Sequence, residues 1–222
     1  MPFGSAGCIR EAAKISDGKL LVVVLAQLVD MPDITQAINA HLQNKSTLTI
    51  IRGNNSQTNI YTHIYVADRE VADFMPRRGF FDIKENLIPA LILHNKKIQI
   101  ETLEKPLYSF RNHQQYLQAM SDYINNNTDR INKDAVSSRL QISPSAKILG
   151  TVILQDNCSI DDNVIIIGPA FIGNDVHIHE NSVIEQSIIW NGTSIGKNCF
   201  VSSSVTEYNS AIFPYSNIVD NT

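Results

Sequence analysis

The sequence predicts two folds in succession: an α/β domain over residues 1–134 and a left-handed parallel β-helix over residues 135–222. Helical and strand patterns alternate through the first part, as they do in α/β domains. A polar stretch at 125–138 then has the composition of a linker. From residue 142 onward an aliphatic residue recurs every six positions, and this period is typical of a parallel β-helix.

The N-terminal elements begin with a glycine-bracketed loop at residues 4–7, followed by a short helix at 9–15. The apolar run at 20–29 predicts a strand in the middle of a parallel sheet, covered on both faces. Asp33 is positioned to cap the next helix, and Asp82 with Glu85 forms a capping-box pattern. The other predicted elements are strands at 47–51, 59–67 and 97–103 and helices at 34–43, 80–95 and, after Asn112, 113–124.

The β-helix prediction depends on two positions of each six-residue unit. The first residue is Ile, Leu or Val and is expected to fill the core, whereas the fifth is small or β-branched and is expected to fit a tight corner. One five-residue step, IEQSI at 184–188, interrupts the period, and the last small position is assigned to Val205. Cys158 and Cys199 fall on the small inward position and are predicted to be core residues.

Two histidines of the β-helix are the candidates for acyl transfer, a reaction in which a histidine acts beside a coenzyme A groove. His177 and His179 flank the inward Ile178 and are therefore predicted on turns or outer faces. The alternative is that they are exposed turn residues without a chemical role. The nearby carboxylates are predicted to form a solvated edge: Asp161, Asp162, Asp175 and Glu180.

Bulk composition excludes several classes of partner. Of the 222 residues, 43% are hydrophobic and 18% are charged, as in ordinary globular proteins. A net charge of −4 provides no basic face for nucleic acid, and the longest apolar run is too short to cross a membrane. The cysteines have neither disulfide nor zinc-site spacing. No secretion signal is recognisable, so we expect a cytoplasmic protein.

Five segments of the chain carry a family resemblance. They are PFGSAGCIREA, KLLVVVLAQLVDMPDITQAINAHLQNKSTLTII, NIYTHIYVADREVADFMP, FFDIKENLIPALI and QSIIWNGTSIGKNCFV. In this order they resemble the sugar-1-phosphate nucleotidyltransferases, in which an α/β domain precedes a hexapeptide β-helix. The resemblance covers most of the chain and implies a partial Rossmann-like nucleotidyltransferase domain at its start.

The resemblance implies a ligand and the residues that meet it. The family loop P-x-G-[ST]-A-G lies against the nucleotide base, which assigns Gly4, Ser5, Ala6 and Gly7 to nucleotide binding. The segment that lines the sugar site places Thr62 and His63 beside the sugar. A nucleotide or a nucleotide-sugar is therefore the expected ligand.

The resemblance also identifies a loss of charge at the metal site. The family holds Mg²⁺ with an aspartate of a Gly-Asp pair at the end of the central strand and with an aspartate of a W-x-D-[IV]-G-T segment. Here Gln27 and Ser109 occupy those positions, and neither offers the carboxylate that Mg²⁺ prefers. Mg²⁺ is not expected to be retained. Asp30 and Asp33 are either displaced ligands or capping and surface residues.

Two further family segments have no counterpart in the chain. The N-terminal unit with G-x-G-T-R-L is missing, and the lobe with an E-K-P lysine is replaced by the short turn RGNNSQT. The EKP at 104–106 falls at a different place in the order and is interpreted as a coincidence. These departures predict an N-terminally truncated and degenerate member of the family.

Four hypotheses about function follow. The first is a catalytically impaired homologue that binds a nucleotide-sugar or serves as a regulatory or assembly subunit. The second is an active nucleotidyltransferase with a rearranged site, or a fragment of one, making a nucleotide-sugar for polysaccharide synthesis. The third is a β-helix module for oligomerisation, and the fourth is an acyltransferase. A homo-oligomer or a partner chain is expected to cover the edge of the truncated sheet.

Overall fold

A computed structural model describes residues 4–24, 26–54, 64–127 and 139–219 of the chain. They group into two compact units, Met1–Ser109 and Phe110–Thr222. The predicted boundary at 134/135 lies outside the described residues. Helix α4 (His113–Asn126) belongs to the second unit, whereas the sequence places it in the first domain.

The first unit is built on a four-stranded mixed sheet with the order β1-β3-β2-β4. Its strands are β1 (Leu20–Val24), β2 (Leu48–Arg52), β3 (Ile64–Asp68) and β4 (Ile98–Thr102). β3 runs antiparallel to β1 and to β2, and only β2 and β4 are parallel. Successive residues of β3 enter two different hydrophobic clusters, so this strand is covered on both faces.

The position of β1 corrects the sequence prediction. Residues 20–29 were expected to form one strand inside a parallel sheet, but β1 ends at Val24 and lies at the sheet edge, antiparallel to β3. Val22 and Val24 are 45% and 42% exposed. A continuous apolar run indicates burial on two faces but does not fix the strand's neighbours, which are set by pairing with a distant segment.

Helices flank the sheet of the first unit. They are α1 (Gly4–Ile15), α2 (Thr35–Asn44), a 3₁₀ helix (Arg69–Phe74) and α3 (Ile88–Leu93), which follows one wide turn of the π type (Ile83–Leu87). α1 packs into one hydrophobic cluster and α2 borders the other. No helix in the described part of the chain has the length and apolarity needed to cross a bilayer.

Two predicted helix starts are corrected or refined by the structure. α1 begins at Gly4 rather than at residue 9, so the predicted loop at 4–7 is its first turn. The N-cap residue of α2 is Ile34, which forms no side-chain cap, and Asp33, the predicted cap, lies one residue before it, where it accepts a hydrogen bond from the Thr35 backbone N–H at 2.9 Å. Asn112 caps α4 by accepting from the Gln115 N–H, which confirms that predicted start.

The second unit contains a parallel β-solenoid of about four turns, an architecture that fits the predicted left-handed β-helix. Its strands stack in three sheets, two of five strands and one of three. They are β5 (Gln141–Ile142), β6 (Lys147–Leu149), β7 (Val152–Leu154), β8 (Ser159–Ile160), β9 (Ile165–Ile167), β10 (Ala170–Ile172), β11 (His177–Ile178), β12 (Val183–Glu185), β13 (Ile188–Ile189), β14 (Ser194–Ile195), β15 (Phe200–Ser202), β16 (Ala211–Ile212) and β17 (Asn217–Val219).

The two inward positions form the solenoid core as predicted except in the first two hexads, where the first-position residues Ile142 and Ile148 are 41% and 38% exposed. First-position residues from Leu154 to Val201 are buried in one continuous cluster. Cys158 and Cys199 belong to the same cluster, and their thiols lie 3.0 Å and 3.1 Å from the carbonyl oxygens of Gly173 and Phe213. Burial raises the pKa of the Cys158 thiol, so this cysteine is a core residue rather than a nucleophile.

A second five-residue step near the end of the solenoid corrects the predicted register. Ser204, and not Val205, occupies the buried small position, where its N–H donates to Ser187 Oγ and its hydroxyl donates to the Ser202 carbonyl. Beyond this step Thr206 takes the inward position and is buried. The segment VSSSV thus repeats the shortened step of IEQSI one coil later.

An aromatic stack lies on the outer face of the solenoid. Trp190 is placed between Phe171 and Tyr208, with ring centroids 5.4 Å and 5.1 Å apart. Trp190 therefore packs on the outer surface of its own chain. Burial and the nearby Tyr208 raise the pKa of Tyr116 in α4 to about 12.

The second short step makes a prediction about core volume. Ser204→Leu should lower the free energy of unfolding by about 1–3 kcal/mol, because a larger side chain overpacks the buried corner. Val205→Leu should cost less, since Val205 is only half-buried. Urea unfolding followed by circular dichroism measures both variants. Equal costs, or a larger cost at Val205, would show that the register is wrong.

Candidate functional site

The predicted nucleotide-binding residues lie where α1 meets the segment before α3. Gly4 has a φ of +72°, and a Cβ there would lie 2.6 Å from the carbonyl oxygen of Phe81, so only glycine fits. The N–H groups of Ala6 and Gly7 both donate to this Phe81 oxygen, at 3.0 Å and 3.1 Å. These two donors at the start of the helix therefore bind the chain itself.

Ser5 makes the side-chain part of the same contact. Its hydroxyl donates to Asp82 Oδ2 at 2.7 Å and accepts from the Ile83 N–H at 3.0 Å. Gly4, Ser5, Ala6 and Gly7 are thus a docking turn between two distant segments. Their role in nucleotide binding stays a prediction, and the predicted sugar-site residues Thr62 and His63 lie outside the described residues.

Asp82 is the capping residue of the helix that follows, as predicted, but its partner differs. Asp82 Oδ1 accepts from the N–H groups of Lys84 at 2.7 Å and Glu85 at 3.3 Å. The Asp82 N–H donates to Asn86 Oδ1 at 2.8 Å, so Asn86 replaces Glu85 in the reciprocal bond. The first turn is of the wide π type, and this shifts the returning side chain by one position.

The same contacts determine the acidity of Asp82. Partial burial acts to raise its pKa, but hydrogen bonds donated by the Ser5 hydroxyl and by the Lys84 and Glu85 N–H groups outweigh the burial. The pKa of Asp82 therefore lies below its ordinary value of 3.8. The charged form is the one that the docking turn stabilises.

The two positions that the family resemblance matches to metal aspartates lie on neighbouring segments. Leu28 and Ser109 form an isolated antiparallel bridge, and the Val29 N–H donates to the Tyr108 carbonyl at 2.9 Å. Gln27 precedes this bridge by one residue, so its segment runs beside that of Ser109. Both side chains are half-buried and neutral, so the pair offers no carboxylate to a metal ion.

A cavity of about 560 Å³ in the first unit was not found by reasoning from the sequence. It lies between α1 and the 3₁₀ helix, and its charged lining residues are Arg10, Lys14, Arg69, Glu70, Asp73 and Arg77. Glu11 forms ion pairs with Arg10 and Lys14 at 3.1 Å and 2.8 Å. No single segment of the sequence shows this cluster, because it forms only when the two helices pack together.

The acyl-transfer candidates of the solenoid share a carboxylate partner. His177 Nε2 lies 3.0 Å from Asp161 Oδ2, and His179 Nδ1 lies 3.2 Å from the same oxygen. The two imidazole rings are 3.8 Å apart. The histidines lie on the outer face, as predicted, but Asp161 contacts both of them and is not simply part of a solvated edge. Acyl transfer itself stays untested.

Comparison with known proteins gives a distant relative. The chain is 21% identical over 237 residues to a UTP–glucose-1-phosphate uridylyltransferase of Synechocystis sp.. The alignment covers 87% of this chain and 61% of the relative, so the chain spans about three fifths of that protein's length. No protein-family model matches the chain. The similarity supports a relationship to sugar-1-phosphate nucleotidyltransferases.

The docking turn makes a pH-dependent prediction. Asp82→Ala should lower the free energy of unfolding by about 1 kcal/mol at pH 7, the usual cost of losing a cap. Because the pKa of Asp82 is lower in the folded than in the unfolded state, its contribution is complete above pH 3.8 and is lost as the pH falls through the folded value. The difference from wild type should therefore shrink below about pH 4.

Asp17→Ala is the matched control, since Asp17 is exposed and its replacement removes the same charge. Its small effect on the free energy of unfolding should not change in the same pH interval. Urea titrations at several pH values provide the measurement. A constant deficit of Asp82→Ala between pH 7 and pH 2.5 would contradict the assigned role.

Proposed function

We propose that the chain is a nucleotidyltransferase-like protein that binds a nucleotide or nucleotide-sugar in a partial Rossmann-like domain and that is catalytically impaired as this chain. The relationship to a uridylyltransferase supports the ligand class. The sequence resemblance assigns the family's metal-ligand positions to Gln27 and Ser109, which lie on the paired segments 27–29 and 108–109.

One observation carries this proposal: the Leu28–Ser109 bridge joins the segments that contain Gln27 and Ser109, yet neither of these residues is charged. Transfer of a nucleotidyl group depends on neutralising phosphate charge, and Mg²⁺ performs this in related chemistry. A site with an amide and a hydroxyl can still donate hydrogen bonds to phosphate oxygens. Binding without efficient turnover is the expected result.

The alternative of an active, rearranged site would use Asp30 or Asp33 as displaced ligands. Asp33 is already engaged, because its carboxylate accepts a hydrogen bond from Thr35 at the start of α2. Hydrogen bonds from the Thr35 side chain and backbone lower the pKa of this carboxyl. The contact favours a structural role for Asp33.

Assembly is a further part of the proposal. In the described part of the chain, no strand pairs with the outer side of β1, and Val22 and Val24 are partly exposed there. An unpaired edge with apolar side chains is commonly covered by another chain. A second copy or a partner subunit at β1 agrees with a regulatory or assembly role.

Isothermal titration of the full chain with UTP tests the binding site. In the absence of Mg²⁺, Gln27→Asp should weaken UTP binding by about tenfold, because the new carboxylate repels the triphosphate. Gln36→Asp makes the same charge change on the exposed face of α2 and should leave binding unchanged. GTP and ATP are titrated in parallel, because the base is not specified.

Two outcomes would contradict this proposal. If none of the three nucleotides, and none of their sugar diphosphate forms, binds at millimolar concentration, the binding proposal is wrong. The structural or assembly hypothesis would then remain. Equal weakening by Gln27→Asp and Gln36→Asp would show that bound nucleotide does not lie near Gln27.

A further inference from the structure

We propose that Asp161, His177 and His179 form a Zn²⁺-binding site on the outer face of the solenoid. The inference does not depend on the proposed nucleotide site, which lies in the other unit. It rests on three side chains of suitable chemistry that the coil stacking holds together.

The strand register brings the three residues together. Ser159 pairs with His177, and Ile160 pairs with Ile178. The residues that directly follow these two strands, Asp161 and His179, therefore also lie side by side. They are 18 positions apart, which is one full coil. Because Ile178 points into the core, His177 and His179 both project from the outer face. The backbone ladder therefore fixes all three positions.

Two of the three distances between the ligand atoms are close to the spacing that a tetrahedral ion requires. Zn²⁺ bonds to His nitrogen and to carboxylate oxygen are about 2.0–2.2 Å, so neighbouring ligand atoms are separated by roughly 3.3 Å. Asp161 Oδ2 lies 3.0 Å from His177 Nε2 and 3.2 Å from His179 Nδ1. One ligand atom from each residue lies within 4.8 Å of the others. Small side-chain rotations would complete the geometry.

The ligand types select the metal. Two imidazole nitrogens with one carboxylate favour Zn²⁺ over Mg²⁺ or Ca²⁺, which prefer oxygen ligands alone. The three side chains are 31–41% exposed. Three protein ligands with access to solvent leave a fourth position for water or for an anionic ligand.

The surroundings favour a cation and leave it accessible. Asp162 and Glu180 line an adjoining cleft of about 690 Å³ together with Asp161. Lys197 is the nearby positive group, 3.8 Å from Glu180. The coil after His179 has Gly196 in the corresponding position, so no side chain covers the histidine there.

Competition with a chromophoric chelator tests the site in the full chain. All proteins carry Cys8→Ser, because an exposed free thiol binds Zn²⁺ independently of the proposed site. We expect one Zn²⁺ per chain, and Asp161→Asn, His177→Gln and His179→Gln should each weaken binding at least about tenfold. His113→Gln replaces an exposed histidine of the same unit and should bind Zn²⁺ as before.

Thermal melting of the metal-free proteins separates ligand loss from misfolding. The variants should melt near the control, and Zn²⁺ should raise the melting temperature of the control more than that of any variant. A millimolar excess of Mg²⁺ should not displace Zn²⁺. The proposal would be overturned if the control protein did not bind Zn²⁺, or if the folded variants bound Zn²⁺ with the same affinity as the control. In either case the role of the Asp161 carboxylate would be only to brace the two histidines.

Discussion

The first unit depends on one carbonyl oxygen, that of Phe81, which accepts hydrogen bonds from the N–H groups of both Ala6 and Gly7. The contact brings the start of α1 to the start of the following helical segment, and Ser5 and Asp82 add their side-chain bond at the same place. The contact provides an acceptor for two backbone N–H groups that, at the start of a helix, would otherwise form hydrogen bonds with water. A glycine-bracketed sequence that resembles a ligand loop therefore has a structural function in the folded chain.

The solenoid shows which features a periodic sequence predicts and where the prediction fails. From Leu154 to Cys199 each coil repeats the same inward chemistry, so these core positions and the two buried cysteines follow from the hexad pattern and its one recognised five-residue step. The second short step was missed because three consecutive serines, 202–204, supply a small residue in any register. Only the backbone ladder assigns the corner to Ser204. The contact of Asp161 with His179 was predictable, since residues one coil apart are neighbours.

In the α/β unit, the helices and strands were predictable because caps and apolar runs are local signals. The pairing of β1 with β3 and the bridge from Leu28 to Ser109 join segments distant in sequence, so no local pattern shows them. The resemblance alone identified Gln27 and Ser109 as a pair. The structure adds that their segments are adjacent. If the family's metal site lies there, as we propose, the missing carboxylates are missing from one place, and charge neutralisation of phosphate would be weakened there.

The central claim is that this arrangement binds its ligand but does not catalyse transfer. It is tested most directly by measuring pyrophosphate release from UTP, GTP, ATP or dTTP with glucose or mannose 1-phosphate and Mg²⁺. Without the metal carboxylates the transition state loses several kcal/mol of stabilisation, and each ~1.4 kcal/mol is a factor of ten in rate. We predict no release above that of Gln27→Ala for any pair of substrates. Release by the wild-type chain well above that of Gln27→Ala would contradict the account.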